Sequence, residues 1–69
     1  MKVFDVIVEF FDGQRLEISN VNDYGYNNST NSYYADKNGY RQFFNKDTVK
    51  YIGRIFDLYN GKAVINNER

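Results

Sequence analysis

Asn38-Gly39 stands between two six-residue segments, 32–37 and 40–45, and no other feature narrows the possible folds so far. A two-residue connection of this composition favours a type I′ turn. Both residues then take positive φ, which Asn and Gly tolerate, and the turn's twist matches that of the strands it joins. With the turn placed there, Asp36 faces Arg41 and Tyr34 faces Phe43. One is an opposite-charge pair and the other an aromatic pair, both favourable across neighbouring strands. A lone hairpin is at best marginal in water, so the rest of the chain must supply more sheet.

The N-terminal stretch does so. Phe4, Val6, Val8 and Phe10 alternate with Asp5, Ile7, Glu9 and Phe11, and after Asp12-Gly13 the alternation resumes with Leu16 and Ile18. A two-residue turn at Asp12-Gly13 would set Phe10 against Arg15 and Val8 against Glu17, placing charges on the apolar face. A three-residue loop, Phe11-Asp12-Gly13 with Gly13 left-handed, sets Val8 against Leu16, Val6 against Ile18 and Glu9 against Arg15. A slip of one residue turns every side chain to the other face, so the second register is the expected one.

Residues 20–32 are rich in Asn, Ser and Tyr and read as a long loop. Asn45-Lys46-Asp47-Thr48 reads as a polar break of one 3₁₀ turn. Residues 48–60 allow two readings. Val49, Ile52, Phe56 and Tyr59 have helical spacing, whereas the β-branched and aromatic content favours strand. The strand reading makes Asn60-Gly61 a third hairpin turn, with Phe56 opposite Ile65, Leu58 opposite Ala63, and Gly53 at a bulge or bend. The expected fold is all-β, a small SH3-like barrel or a strongly twisted antiparallel meander of five or six strands. The strands are expected at 2–11, 14–20, 32–37, 40–45, 49–52 and 54–66. An α+β arrangement with a helix at 48–60 is the alternative. Residues 1–66 are expected to form a single β domain, and 67–69 a frayed tail.

The order hairpin, long loop, hairpin, one-turn break, strand resembles the SH3-like barrels over residues 2–58. The chain has no Trp, so the peptide-binding signature of true SH3 domains is missing and binding of proline-rich peptides is not implied. Its length, its richness in Asn and Tyr, and the stretch from Phe43-Phe44 to Asp57-Leu58 also resemble small phage and prophage proteins of low-GC Gram-positive bacteria.

Composition removes several kinds of chemistry. The 69 residues include no His, Cys, Pro or Trp. A disulfide, a Cys/His zinc site, a Ser-His-Asp triad and a histidine acid–base are therefore all excluded. No metal and no cofactor are expected. Asp36-Lys37-Asn38-Gly39 begins like a calcium loop, but its glycine is misplaced and Arg41 stands where that glycine belongs. Asp5 and Glu9 interrupt the region where a secretory signal would need apolar residues, so a soluble cytoplasmic protein is expected. A domain of this size buries only about 60% of its unfolded surface, and the seven Tyr and six Phe are its main resource for a core.

Charge is split along the chain: residues 1–36 carry two bases and six acids, residues 37–69 seven bases and three acids. Strands from the two halves lying side by side would pair these charges. Left unpaired, Lys46, Lys50 and Arg54 beside Tyr40 and Tyr51 would form the basic–aromatic surface that binds single-stranded nucleic acid. Tyr24, Tyr26, Asn27 and Asn28, extended by Tyr33 and Tyr34, have the composition of an adaptable protein-recognition surface. With catalytic residue types so depleted, the expected function is that of a non-catalytic protein-interaction module, a phage-encoded binder or inhibitor of a host or defence protein. A single-stranded nucleic-acid-binding barrel and a self-assembling structural protein, for instance a homodimer, are the alternatives.

Overall fold

The computed structural model describes residues 2–59 and 65–66, with side chains for 2–57. The strands are β1 (Phe4–Phe10), β2 (Arg15–Val21), β3 (Asp23–Asn27), β4 (Ser32–Lys37), β5 (Tyr40–Asn45), β6 (Val49–Arg54) and the two-residue β7 (Ile65–Asn66). A short helix, α1 (Ile55–Tyr59), follows β6. The fold is all-β and antiparallel, in two sheets ordered β2-β1-β6-β7 and β3-β4-β5.

Both expected hairpin registers are present. In the first, Glu9 pairs with Arg15, Val8 with Leu16 and Val6 with Ile18. Gly13 takes φ 90°, and its N–H donates to the Phe10 carbonyl at 2.9 Å. In the second, Asp36 pairs with Arg41 and Tyr34 with Phe43, and Asn38 and Gly39 take φ 52° and 75° as a type I′ turn requires. The break after β5 is a single hydrogen-bonded turn. The Thr48 N–H and Oγ1 both donate to the Asn45 carbonyl, and the Asn45 side chain accepts the Asp47 N–H at 2.8 Å.

The segment 20–32 is not the long loop its polarity suggests. Residues 23–27 form β3, paired along its length with β4. Only Asn22 separates β3 from β2. One extra residue in β2, between the pairs Phe4–Val21 and Val6–Ile18, bends the chain, with Asn20 at φ 58° and its N–H donating to Asp5 Oδ1. Such a bulge lets a strand leave one sheet and enter another. Asn22 then ties the crossover to the second hairpin: its N–H donates to the Asp36 carbonyl, and its side chain accepts the Asn38 N–H. The connection that remains is residues 28–31, closed by Asn31 at φ 51°. Three asparagines thus occupy left-handed positions where most residues are strained.

The C-terminal expectation also changes. β6 runs through Gly53, which pairs regularly with Ile7; the irregularity lies instead at Lys50, the extra residue between Phe10–Val49 and Glu9–Tyr51. Strand does not continue after Arg54. The chain turns into α1, where helical spacing brings Asp57 within 3.9 Å of the Arg54 guanidinium while that guanidinium lies over the Phe4 ring. This helix is far shorter than the 48–60 alternative, and it packs on β1 and β6. β7 pairs Ile65 with Ile52 and Asn66 with Tyr51, so the pairing Phe56–Ile65 does not form, and the pairing Leu58–Ala63 lies outside the described residues. The Asn60-Gly61 turn and the tail 67–69 lie outside the described residues. No helix among the described residues is long and apolar enough to cross a membrane.

One core lies between the sheets. Val6 and Val8 of β1, Val21 of β2, Tyr33 and Ala35 of β4, Phe44 of β5, and Val49 and Ile52 of β6 form a single buried cluster. Side chains from both sheets meet in it, which holds the two halves of the chain together.

Candidate functional site

The second sheet decides which tyrosines face solvent. Register sets Tyr24 opposite Ala35 and Tyr26 opposite Tyr33, all on the core side. Tyr24 packs edge-on against Phe4 at 5.6 Å, and Tyr26 lies 4.9 Å from the ring of Tyr33, which is itself buried. The Tyr26 hydroxyl donates to Asn31 Oδ1 at 3.3 Å. Asn27 accepts the Ser29 N–H in the loop between β3 and β4, and Asn28 is exposed beside it. The six residues expected to recognise a partner are therefore divided. Tyr24, Tyr26 and Tyr33 pack on the core, Asn27 is the last residue of β3, Asn28 opens the loop after it, and Tyr34 alone of the four tyrosines faces outward.

Around Tyr34 the outer face is organised. Gly25 lies opposite it, and the Tyr34 ring covers the space a side chain would take: a Cβ on Gly25 would stand 2.9 Å from the Tyr34 hydroxyl. The Arg41 guanidinium lies 3.9 Å above the ring centroid. Its Nε and Nη2 donate to the two carboxylate oxygens of Asp36 at 2.6 and 2.8 Å. The Tyr34 hydroxyl donates to Asp23 Oδ2 at 3.4 Å. Phe43 stands beside Tyr34 with half its surface exposed (51%), and Tyr40, at the end of the hairpin, is 71% exposed. Asn22, Asp36, Gly39 and Arg41 line an open depression of about 410 Å³ at this end of the sheet.

The electrostatics are those of a locked pair. The Arg41 hydrogen bonds hold the Asp36 carboxyl below its ordinary range, and Asp36 in turn raises Arg41. Burial, then the charge of Asp23, pushes the Tyr34 phenol upward. At neutral pH the face therefore carries a fixed guanidinium–carboxylate pair and a neutral phenol. Such a surface offers planar stacking and directed hydrogen bonds.

The basic residues of the alternative expectation are not gathered into one surface. Tyr40 belongs to the second sheet, and Lys46 to the turn after it; Lys50, Tyr51 and Arg54 belong to β6 in the first. Lys50 and Arg15 pair with Glu9, at 3.6 and 2.6 Å, and the Tyr51 hydroxyl also donates to Glu9. Arg54 pairs with Asp57. Across the charge split, Glu9 of β1 meets Lys50 of β6 and Asp36 of β4 meets Arg41 of β5. Arg41 and Phe43 were not singled out as site residues, although the pairs Asp36–Arg41 and Tyr34–Phe43 put all four on one face. Recognising Tyr24-Gly25-Tyr26 as strand is the step that separates that face from the core side. No family model matches this chain, and no curated protein or solved structure matches it either.

Proposed function

We propose that the protein is a small non-catalytic interaction module that docks on another protein through the outer face of β3-β4-β5. The observation that carries this reading is the cluster of Tyr34, Arg41 and Phe43 on one face, two aromatic rings and a stacked guanidinium, with Phe43 half exposed. Tyr and Arg dominate the few residues that supply most binding energy at protein interfaces. The Asp36 pairing and the floor at Gly25 fix these groups before binding, so little side-chain entropy remains to be lost. The strand order, β6-β1-β2 in one sheet and β3-β4-β5 in the other with β2 bending into β3, supports an SH3-like barrel as the scaffold. A phage-encoded protein acting in the cytoplasm on a bacterial host or defence protein accords with this reading.

Immobilised chain exposed to lysate of a low-GC Gram-positive bacterium tests it, followed by titration against the purified captured protein. The double variant Tyr34→Ala/Arg41→Ala is expected to bind at least about 30-fold more weakly, as loss of a central anchor costs. Its circular dichroism should remain that of the folded chain. Equal capture by wild type and double variant removes the proposal.

A further inference from the structure

We propose that the chain also self-associates through the outer edge of β5, two copies pairing antiparallel about a twofold axis at Gln42. The two three-stranded sheets then merge into one sheet of six strands. β5 ends its sheet, and among the described residues no strand pairs with its far edge. Across a type I′ turn the flanking residues Lys37 and Tyr40 exchange both hydrogen bonds, so bonding to β4 recurs at Gln42 and Phe44. The N–H and C=O groups of Arg41 and Phe43 consequently point to the open edge.

Proteins ordinarily blunt such an edge with proline, a bulge, an inward-pointing charge or a very short strand. β5 is six residues long, keeps an unbroken register with β4 and contains no proline. Its single charge, Arg41, points outward and is occupied by Asp36. The two most exposed aromatic residues of the second sheet, Tyr40 and Phe43, both lie on it.

Charge selects the second copy as occupant and sets its register. Pairing about Arg41 would oppose two arginines, which is destabilising. Pairing about Phe43 would set Tyr40 against Lys46 and leave Arg41 opposite Asn45. Pairing about Gln42 puts Arg41 opposite Phe43 of the second copy, and Phe43 opposite its Arg41. Each row across the outer face then reads Asp36, Arg41, Phe43, Tyr34, the last two from the second copy. A guanidinium thus meets an aromatic face twice over. On the other face Tyr40 meets Phe44 of the second copy. Only the edge is consumed, so both outer faces stay open and the association needs no other protein.

The test uses the purified chain alone. Sedimentation equilibrium from about 1 µM to about 1 mM should show a monomer–dimer equilibrium. The chain has no cysteine, so Gln42→Cys introduces the only one. In this register the two positions 42 form a non-hydrogen-bonded pair with Cα atoms about 4.5 Å apart, within disulfide range. Gln42→Cys should therefore oxidise to a covalent dimer with unchanged circular dichroism. Lys50→Cys, in the other sheet, should form no covalent dimer under the same oxidation. Phe43→Lys, which opposes Arg41 in both rows, should weaken association about tenfold or more. A monomer throughout the range overturns the proposal. So does cross-linking that is equal at positions 42 and 50, and so does association untouched by Phe43→Lys.

Discussion

Tyr26 and Tyr34 share a residue type and a neighbourhood in sequence, yet the structure assigns them opposite roles, and replacing each by alanine separates those roles. Tyr26 is half-buried against the core, with its ring 4.9 Å from Tyr33 and its hydroxyl on Asn31. Removing a fully buried aromatic ring costs about 3–5 kcal/mol, so partial burial places Tyr26→Ala at about 2–3 kcal/mol. At about 0.05–0.15 kcal/mol per residue, a chain of this length has roughly 3–10 kcal/mol in total. The loss is therefore a large fraction, and at about 4–8 °C per kcal/mol the midpoint should fall by about 10–20 °C. Tyr34→Ala forfeits an exposed cation–π contact of about 0.5–1 kcal/mol and a long hydrogen bond to Asp23, without opening a cavity. Its midpoint should drop by less than about 8 °C. Thermal unfolding followed by circular dichroism at one fixed protein concentration measures both. A Tyr26→Ala midpoint within about 2 °C of wild type, or a drop for Tyr34→Ala equal to that for Tyr26→Ala, would refute the assignment of faces.

Two further outcomes follow from the same geometry. The Glu9 carboxyl is held below its ordinary value of 4.5, first by the Arg15 hydrogen bond, and Asp36 below 3.8, first by Arg41. A depressed folded-state pKa contributes stability that is complete above the ordinary value and is lost as pH falls through the depressed one. Urea midpoints should therefore hold from neutrality to about pH 5 and decline below it, with a shallower decline in Glu9→Gln; identical slopes in both proteins would count against the pairing. Gly39 has φ 75° and nothing within 4 Å of a Cβ, so Gly39→Ala meets only the backbone penalty of about 1–2 kcal/mol. A midpoint drop of about 4–16 °C in the same thermal assay is expected; no drop would mean that the turn is not type I′.

The hairpins were legible because each is specified by local chemistry that agrees with its pattern. Gly13 and Asn38-Gly39 set the turns, and Glu9–Arg15 and Asp36–Arg41 check the register independently. β3 was hidden because its outward positions, Asp23, Gly25 and Asn27, are the residue types that mark loops. Gly25 is there for a neighbour: the Tyr34 ring needs its surface clear. Reading 23–27 as loop also puts Tyr24 and Tyr26 at the surface, whereas the strand register sets both on the core side. At the other end, Arg54 and Asp57 are polar residues whose spacing suits either structure, and the partners that decide between them, Phe4 and β1, lie about fifty residues away.

Arg41 connects these levels, and its position explains why the face and the edge can serve different contacts. Its side chain lies along the outer surface, spanning Asp36 and Tyr34, while its backbone points sideways out of the sheet. The side chain is held against Asp36 and Tyr34, so at the edge it presents a flat, anchored group and not a freely moving charge that would deter a neighbouring strand. An edge residue of this kind protects poorly against a neighbouring strand and pairs well with an aromatic one. Lysine at position 41 would keep the charge but lose both the bidentate grip on Asp36 and the flat stack on Tyr34. Its mobile ammonium would restore the ordinary protection of an edge strand. Arg41→Lys should therefore weaken self-association and partner binding together while sparing the fold. Sedimentation and titration measured side by side on that variant test this joint dependence; a change in one alone would show that Arg41 does not link the two surfaces.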